Sequence, residues 1–164
     1  MSPKLIEALL GKASKQGVTR AVLGANAKCI AAVVAGDPLQ CKPVVEKLKG
    51  MVKNPAAAPF QRVLGLLAIG HIGRPAPEKA MQAAAGAGAG ASCASDLSSD
   101  PQIVEVIRHA LDMQDEDVKA AAATCLGSLA VGNTAVYLPI VFEEITARQT
   151  QQYLLLHSLK ELLQ

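Results

Sequence analysis

Apolar residues recur along the chain at helical spacing, and the same two-part pattern occurs four times. Each copy consists of a proline-led apolar helix followed by a second apolar helix. The first helices begin at Pro3, Pro43, Pro101 and Pro139. The second helices align on Ile30, Ile69, Leu126 and Leu159, which lie 39, 57 and 33 residues apart. Two of these spacings fall within the roughly 30–47 residues of helical-pair repeats, so the pattern predicts an all-α, HEAT/armadillo-like solenoid of about four antiparallel helix pairs.

Turn residues and one stretch of low complexity divide the chain. The predicted repeats cover about 2–36, 37–74, 100–132 and 133–164. The wide spacing of 57 residues contains the sequence AAAGAGAGASCAS. Because repeated glycine removes the helix preference of alanine, we predict a flexible Ala/Gly-rich insert over residues 75–99.

Single residues predict where several helices begin and end. Gly36 is expected to end a second helix as a C-terminal glycine. Asp100 before Pro101 predicts an N-cap. The acidic run 115–117 predicts a helix start, where carboxylates favour the positive end of the helix dipole. Pro139 predicts a kink if it lies inside its helix, because it has no N–H.

Composition indicates a core of small and aliphatic side chains in a reducing compartment. The chain is 51% hydrophobic but only 2% aromatic, and its four cysteines have no metal-ligand spacing. Cys29 and Cys125 are predicted as buried free thiols on second helices, with a reactive thiol as the alternative. Tyr137 and Tyr153 are predicted as packing residues with solvated hydroxyls. No signal peptide and no run of about 18 apolar residues is recognisable, so we expect a cytoplasmic and nuclear protein that does not span a membrane.

The charge is unevenly distributed along the chain. Residues 1–74 hold 11 Lys/Arg and 3 Asp/Glu, whereas residues 75–164 hold 5 and 11, for a net charge of +2. The opposite net charges of the two halves could orient a binding partner. Alternatively, the uneven distribution could arise by chance from the charged outer faces that helices need. Nucleic acid is not expected as a partner, because Phe60 is the only aromatic residue in the basic half and no nucleic-acid motif is present.

No catalytic, cofactor or metal site is predicted. The three histidines are too scattered to converge on a metal, and the glycine-rich run lacks the GK[ST] of a phosphate loop. Glu143 and Glu144 are adjacent and point about 100° apart on a helix, so they do not form a catalytic pair. A protein-binding surface on the second helices is predicted instead. Its candidate residues are Arg62, Lys119, Gln152, His157 and Lys160.

Two alternatives bear on these candidates. Each could be a solvated residue or a contact to the neighbouring repeat, and a packed imidazole is the alternative for His71 and His157.

The final helix, QYLLLHSLKELLQ, is apolar on most sides. We therefore expect further solenoid repeats, or another chain, to stack on it.

Residues 117–163 resemble a segment of the cullin-associated, neddylation-dissociated family. The resemblance is carried by VGN…YLP (residues 131–139) and QYLLLHSLKE (residues 152–161). Residues 60–73 match the preceding repeat of the family more weakly, and residues 1–55 match in pattern only. The Ala/Gly insert has no counterpart in that family.

The resemblance implies a non-enzymatic HEAT-repeat scaffold. Such proteins wrap around an unmodified cullin bound to its RING partner, oppose attachment of the ubiquitin-like modifier and promote exchange of substrate receptors. The matched segment includes neither end of the family, so alone it is expected to lack full exchange activity. Two alternatives stay open: a HEAT-repeat structural subunit of another large assembly, and a HEAT-like enzyme, for which no acid–base constellation is present.

Overall fold

The computed structural model describes residues 7, 8, 11, 19–74, 97 and 100–162. These residues contain helices and turns but no strand. Seven helices are described: α1 Arg20–Gly36, α2 Cys41–Lys53, α3 Pro59–Gly73, α4 Pro101–Leu111, α5 Glu116–Gly132, α6 Thr134–Ala147 and α7 Gln152–Leu162. Short 3₁₀ turns, Pro38–Gln40 and Gln149–Gln151, precede α2 and α7. None of the described helices is both long and apolar enough to cross a membrane.

The helices form two layers. The odd-numbered helices lie side by side, with α3 between α1 and α5 and with α5 between α3 and α7. Each even-numbered helix packs on the odd-numbered helix that follows it, and α2 also contacts α4. Stacking of successive helix pairs in this way is the architecture of an α-solenoid, so the predicted all-α, HEAT-like fold is confirmed.

The centre of the odd layer is closely packed because its residues are small or aliphatic. All eight residues from Val63 to Gly70 on α3 are buried. A Cβ added to Gly70 would lie 3.1 Å from the Cα of Cys125 and 3.3 Å from the Cβ of Ser128 on α5. Glycine at this position therefore allows the α3 and α5 backbones to approach closely.

The two predicted acidic caps are confirmed. The Asp100 carboxylate accepts the backbone N–H of Gln102 at 2.9 Å, and Asp115 accepts that of Val118 at 3.0 Å. These bonds satisfy donors that have no partner within the first turn of α4 and α5.

Of two predictions about helix ends, one is confirmed and one is wrong. Gly36 ends α1 as predicted, although without a left-handed conformation. The chain leaves α1 through Asp37, whose N–H donates to the carbonyl of Val34, so no left-handed glycine is needed. Helix α2 begins at Cys41 rather than at Pro43. Pro43 is accommodated in the first turn, where the N–H that proline lacks has no intrahelical partner.

Pro139 lies in the interior of α6, which continues through it as one helix. The missing N–H of Pro139 leaves the carbonyl of Ala135 without its usual bond four residues later. The kink expected at this position stays a prediction.

Leu97, near the end of the predicted Ala/Gly insert, is buried against the end of α3. A Cβ on Gly73 would lie 3.4 Å from the Cδ1 of Leu97. The buried Tyr137 hydroxyl donates to the carbonyl of Leu97 at 2.9 Å, so it is not the solvated hydroxyl that was expected. Because α3 packs on α5 and α2 contacts α4, the second and third helix pairs stack directly.

Several predictions fall on residues outside the described part of the chain. These include most of the helix predicted to begin at Pro3, of which only residues 7, 8 and 11 are described, the flexibility of the insert and the environment of Cys93. The repeat boundaries also stay predictions.

The cysteine prediction is only partly confirmed. Cys125 is buried in α5, where burial raises the pKa of its thiol to about 12. Cys29 is exposed, contrary to expectation. The buried positions of α1 are Leu23, Ala27, Ile30 and Val34, which form one stripe of the helix. Cys29 lies outside that stripe, so it does not enter the core.

Candidate partner-binding surface

Residues from three helices meet where the odd-numbered helices begin. The hydroxyl of Tyr153 on α7 donates to Glu116 on α5 at 3.1 Å. The guanidinium of Arg20 on α1 lies 3.9 Å from the Asp117 carboxylate on α5. We call Arg20, Glu116, Asp117, Lys119 and Tyr153 the start edge. It presents charges of both signs and one aromatic ring on a single rim of the solenoid.

Hydrogen bonds hold Glu116 in its charged form. Lys119 donates to Glu116 at 2.8 Å, and this bond, together with that from Tyr153, lowers the pKa of the carboxyl. The bond to Glu116 also raises the pKa of the Tyr153 phenol. At neutral pH the start edge therefore presents a carboxylate, an ammonium group and a neutral phenol.

Two of the predicted binding residues lie at or beside the start edge. Lys119 is part of it, although its side chain is only 15% exposed. Gln152 begins α7 directly before Tyr153, is exposed, and donates its amide to the carbonyl of Ile145 at 3.3 Å. Their role in binding stays a prediction.

The other predicted residues are placed differently. Arg62 donates from one guanidinium nitrogen to the carbonyls of Asn54 and Pro55, at 3.0 and 3.1 Å, and so stabilises the loop between α2 and α3. Lys160 is exposed near the far end of α7, about 12 Å along the helix axis from Gln152. The side chain of His157 lies outside the described part of the structure.

The binding residues predicted from the sequence did not include the exposed apolar and aromatic side chains of α7. Tyr153 and Leu156 are 59% and 54% exposed, so the prediction of Tyr153 as a packing residue is wrong. The opposite face carries the buried Leu154 and Leu155 and also Ser158, whose hydroxyl donates to the Ala123 carbonyl on α5 at 2.6 Å. The helical spacing of Tyr153, Leu156 and Lys160 was the signal that could have identified this face.

Within the described residues, no group of three or more His, Cys, Asp or Glu side chains is arranged to hold a metal ion. The exposed groups of the start edge and of α7 offer hydrogen bonds, ion pairs and apolar contact. This chemistry suits non-covalent recognition of another protein.

No family model matches the chain. The chain is similar to cullin-associated NEDD8-dissociated protein 1 of Arabidopsis thaliana, at 33% identity over 166 residues, covering 97% of this chain and 12% of that protein. It is 35% identical to the protein of the same name from Drosophila melanogaster over 138 residues, covering 84% of this chain and 9% of that protein. It is 29% identical over 150 residues to cullin-associated NEDD8-dissociated protein 2 of Mus musculus, covering 90% of this chain and 10% of that protein.

The chain thus spans only about a tenth of the length of these curated relatives. The alignments nevertheless cover most of its own length, and they include the helical segments on both sides of the insert. The chain therefore belongs to the cullin-associated NEDD8-dissociated protein family and corresponds to a segment of its longer members.

Proposed function

We propose that this chain is a non-enzymatic scaffold segment that binds cullin–RING ubiquitin ligase cores. In this proposal it is part of a substrate-receptor exchange factor that opposes modification of the cullin by NEDD8, and it works in the cytoplasm and nucleus. The observation that carries the proposal is the similarity over 97% of the chain to a protein whose name couples cullin association with NEDD8 dissociation.

The proposed contact surface combines the start edge with the exposed face of α7. Tyr153 and Leu156 provide apolar area, and Lys119, Gln152 and Lys160 provide polar groups around it. Aromatic residues flanked by polar groups are typical of the centre of protein interfaces. Arg62 would support this surface indirectly, by ordering the loop before α3.

A structural subunit of another assembly is the second candidate function. It is favoured by the apolar side chains that the last helix pair exposes, among them Phe142 on α6 at 52% and Leu156 on α7 at 54%. In a solenoid, such faces are covered by the next repeat. A further repeat that covered Leu156 would leave the first candidate with Tyr153 and the start edge as its contact surface.

The test is size-exclusion chromatography with light scattering, using the chain mixed with a cullin–RING complex with and without attached NEDD8. We expect co-elution with the unmodified complex and loss of co-elution after modification. Tyr153→Ala should weaken binding about tenfold or more if the tyrosine is an interface anchor. Lys42→Ala, on the exposed face of α2, is the control and should bind like the unaltered chain. Absence of co-elution with the unmodified complex would contradict the proposal.

A further inference from the structure

The buried contacts of the odd layer are uncharged, and its charged groups, the Arg20–Asp117 pair and the Tyr153–Glu116 bond, lie at the exposed start edge. Gly70 on α3 faces the backbone of Cys125 on α5, and Ser158 on α7 bonds to the Ala123 carbonyl on α5. The residues at these contacts are buried, so water and salt do not reach them. The distance between successive odd-numbered helices is therefore set by packing.

The even layer contains charged clusters at both of its junctions. Between α2 and α4, Lys49 donates to the Asp100 carboxylate and, at 3.1 Å, to the Gln102 side chain. The α2–α4 contact is less extensive than the contacts between odd-numbered helices, and α4 and α6 are not among the closely packed pairs of described helices. Side chains, more than backbone packing, thus connect the even-numbered helices.

The cluster between α4 and α6 is centred on one carboxylate. Arg108 of α4 donates to Glu144 of α6 at 2.6 Å and to Glu143 at 2.8 Å. Arg148, at the end of α6, donates to the second oxygen of Glu144 at 2.7 Å and also bonds to Asp112, at the end of α4. Glu144 therefore lies between two arginines, which would repel each other without it.

These clusters lie at the boundary between core and solvent. The side chains of Lys49 and Glu144 are only 4% and 6% exposed, whereas those of Arg108, Asp112 and Glu143 are 43%, 63% and 66% exposed. Salt screens the exposed members strongly and the buried members weakly. If one partner is lost, a buried charge stays unpaired, which favours hydration and separation of the helices.

We propose that the charged clusters of the even layer set the angle between consecutive helix pairs, so that ionic strength changes the curvature of the solenoid. The close-packed odd layer acts as the axis about which the pairs rotate. Weakened ion pairs let α2, α4 and α6 separate while α1, α3, α5 and α7 keep their spacing. This inference does not depend on the identity of the binding partner.

Pulsed electron paramagnetic resonance on the full chain tests the inference. One spin-label pair, Lys53→Cys with Ala147→Cys, spans the even layer from α2 to α6. A second pair, Ala32→Cys with Lys160→Cys, spans the odd layer from α1 to α7. All four positions are exposed. Both pairs are made in a background with Cys29→Ser and Cys93→Ser, and the buried Cys41 and Cys125 are retained.

Raising the salt concentration from about 0.1 M to about 1 M shortens the screening length from about 10 Å to about 3 Å. We expect this change, and independently Glu144→Gln at low salt, to lengthen and broaden the even-layer distance. The odd-layer distance should stay constant in both experiments. Glu105→Gln removes a carboxylate from the exposed face of α4, outside the clusters, and should leave both distances unchanged.

Two outcomes would overturn the inference. One is an even-layer distance that neither salt nor Glu144→Gln alters while circular dichroism shows a folded protein. The other is an equal lengthening of both distances, which would mean general loosening of the fold. If Glu144→Gln does not fold, Asp112→Asn replaces it, because that exposed carboxylate belongs to the same cluster.

Discussion

Helices α3 and α7 occupy equivalent places in the two-helix repeat, yet they are buried to different extents. Eight consecutive residues of α3 are buried, whereas α7 leaves Tyr153 and Leu156 more than half exposed. Helix α3 has odd-numbered neighbours on both sides, α1 and α5, and α2 behind it. Among the described helices, α7 has an odd-numbered neighbour on one side only. In a solenoid, burial is thus determined by position in the stack as much as by the apolar pattern of the helix itself.

A leucine-to-alanine substitution on each of the two helices should give the largest difference in the free energy of unfolding. Leu66→Ala on α3 removes a side chain that is 0% exposed. It is expected to lower the free energy of unfolding by about 2–5 kcal/mol, because it leaves a cavity. Leu156→Ala on α7 should cost about 0.5 kcal/mol or less, because that side chain is largely solvated. Urea denaturation measures both, and equal losses would contradict the comparison.

A smaller effect is expected from adding one methyl group where α3 meets α5. Gly70→Ala places a Cβ against the Cα of Cys125, so the two backbones must move apart. We expect a net loss of about 1–2 kcal/mol after the gain in helix propensity. Gly50→Ala on α2 is the matched control, since a Cβ there meets nothing within 4 Å. Gly50→Ala should raise the free energy of unfolding by up to about 1 kcal/mol. Thermal melts distinguish the two variants, because the melting temperature should fall for Gly70→Ala and rise for Gly50→Ala.

Acid should weaken the junction of the last two helix pairs. The bond from Arg148 lowers the pKa of Asp112 below its ordinary value of 3.8. The stabilisation that the Asp112–Arg148 pair contributes is therefore fully present above pH 3.8. It is lost as the pH falls through the lower pKa that Asp112 has in the folded protein. Because Asp112 is exposed, Asp112→Asn should cost less than about 1 kcal/mol at neutral pH.

The pH dependence gives a second readout of the same variant. Between neutral pH and about pH 3, Asp112→Asn should lose less stability than the unaltered chain does. Asp117→Asn is the control, since that carboxylate is 82% exposed and belongs to the start edge, beside Arg20, and not to the charged clusters of the even layer. An identical acid profile for all three proteins would argue against a stabilising role for the Asp112–Arg148 pair.

Replacing the insert should have the smallest effect. If α3 is buried by α1, α2 and α5, then exchanging residues 76–95 for a Gly/Ser linker of about eight residues should leave the melting temperature nearly unchanged. Gly73 and Leu97 already lie in contact distance, so a short linker suffices to join the flanking segments. A large drop in melting temperature would mean that the insert itself covers α3.

Features that depend on neighbouring residues in the chain could be predicted from the sequence. The caps at Asp100 and Asp115 follow from a carboxylate placed directly before a helix, and the helix pairs follow from apolar periodicity. These signals lie within one or two helical turns, which is why the starts of α4 and α5 fall at their predicted positions.

Features that depend on contacts between distant residues could not be predicted. Arg62 donates to carbonyl groups of the preceding loop, and Cys29 lies outside the buried stripe of α1. Glu144 was considered only as one of two adjacent carboxylates, whereas its partner Arg108 comes from another helix 36 residues away. The residue types alone do not specify which helix face a neighbour covers.

The contact between Leu97 and the end of α3 has a further consequence. Because Gly73 meets Leu97, and because Lys49 bonds to Asp100 across the same junction, the two halves of the molecule are joined by an interface as well as by the polypeptide. A chain cleaved once within residues 76–95 should therefore remain a non-covalent complex of two fragments. Co-elution of the fragments after cleavage at an engineered protease site would demonstrate it, and the insert would then serve as a natural split point for reassembly of the protein from separately expressed halves.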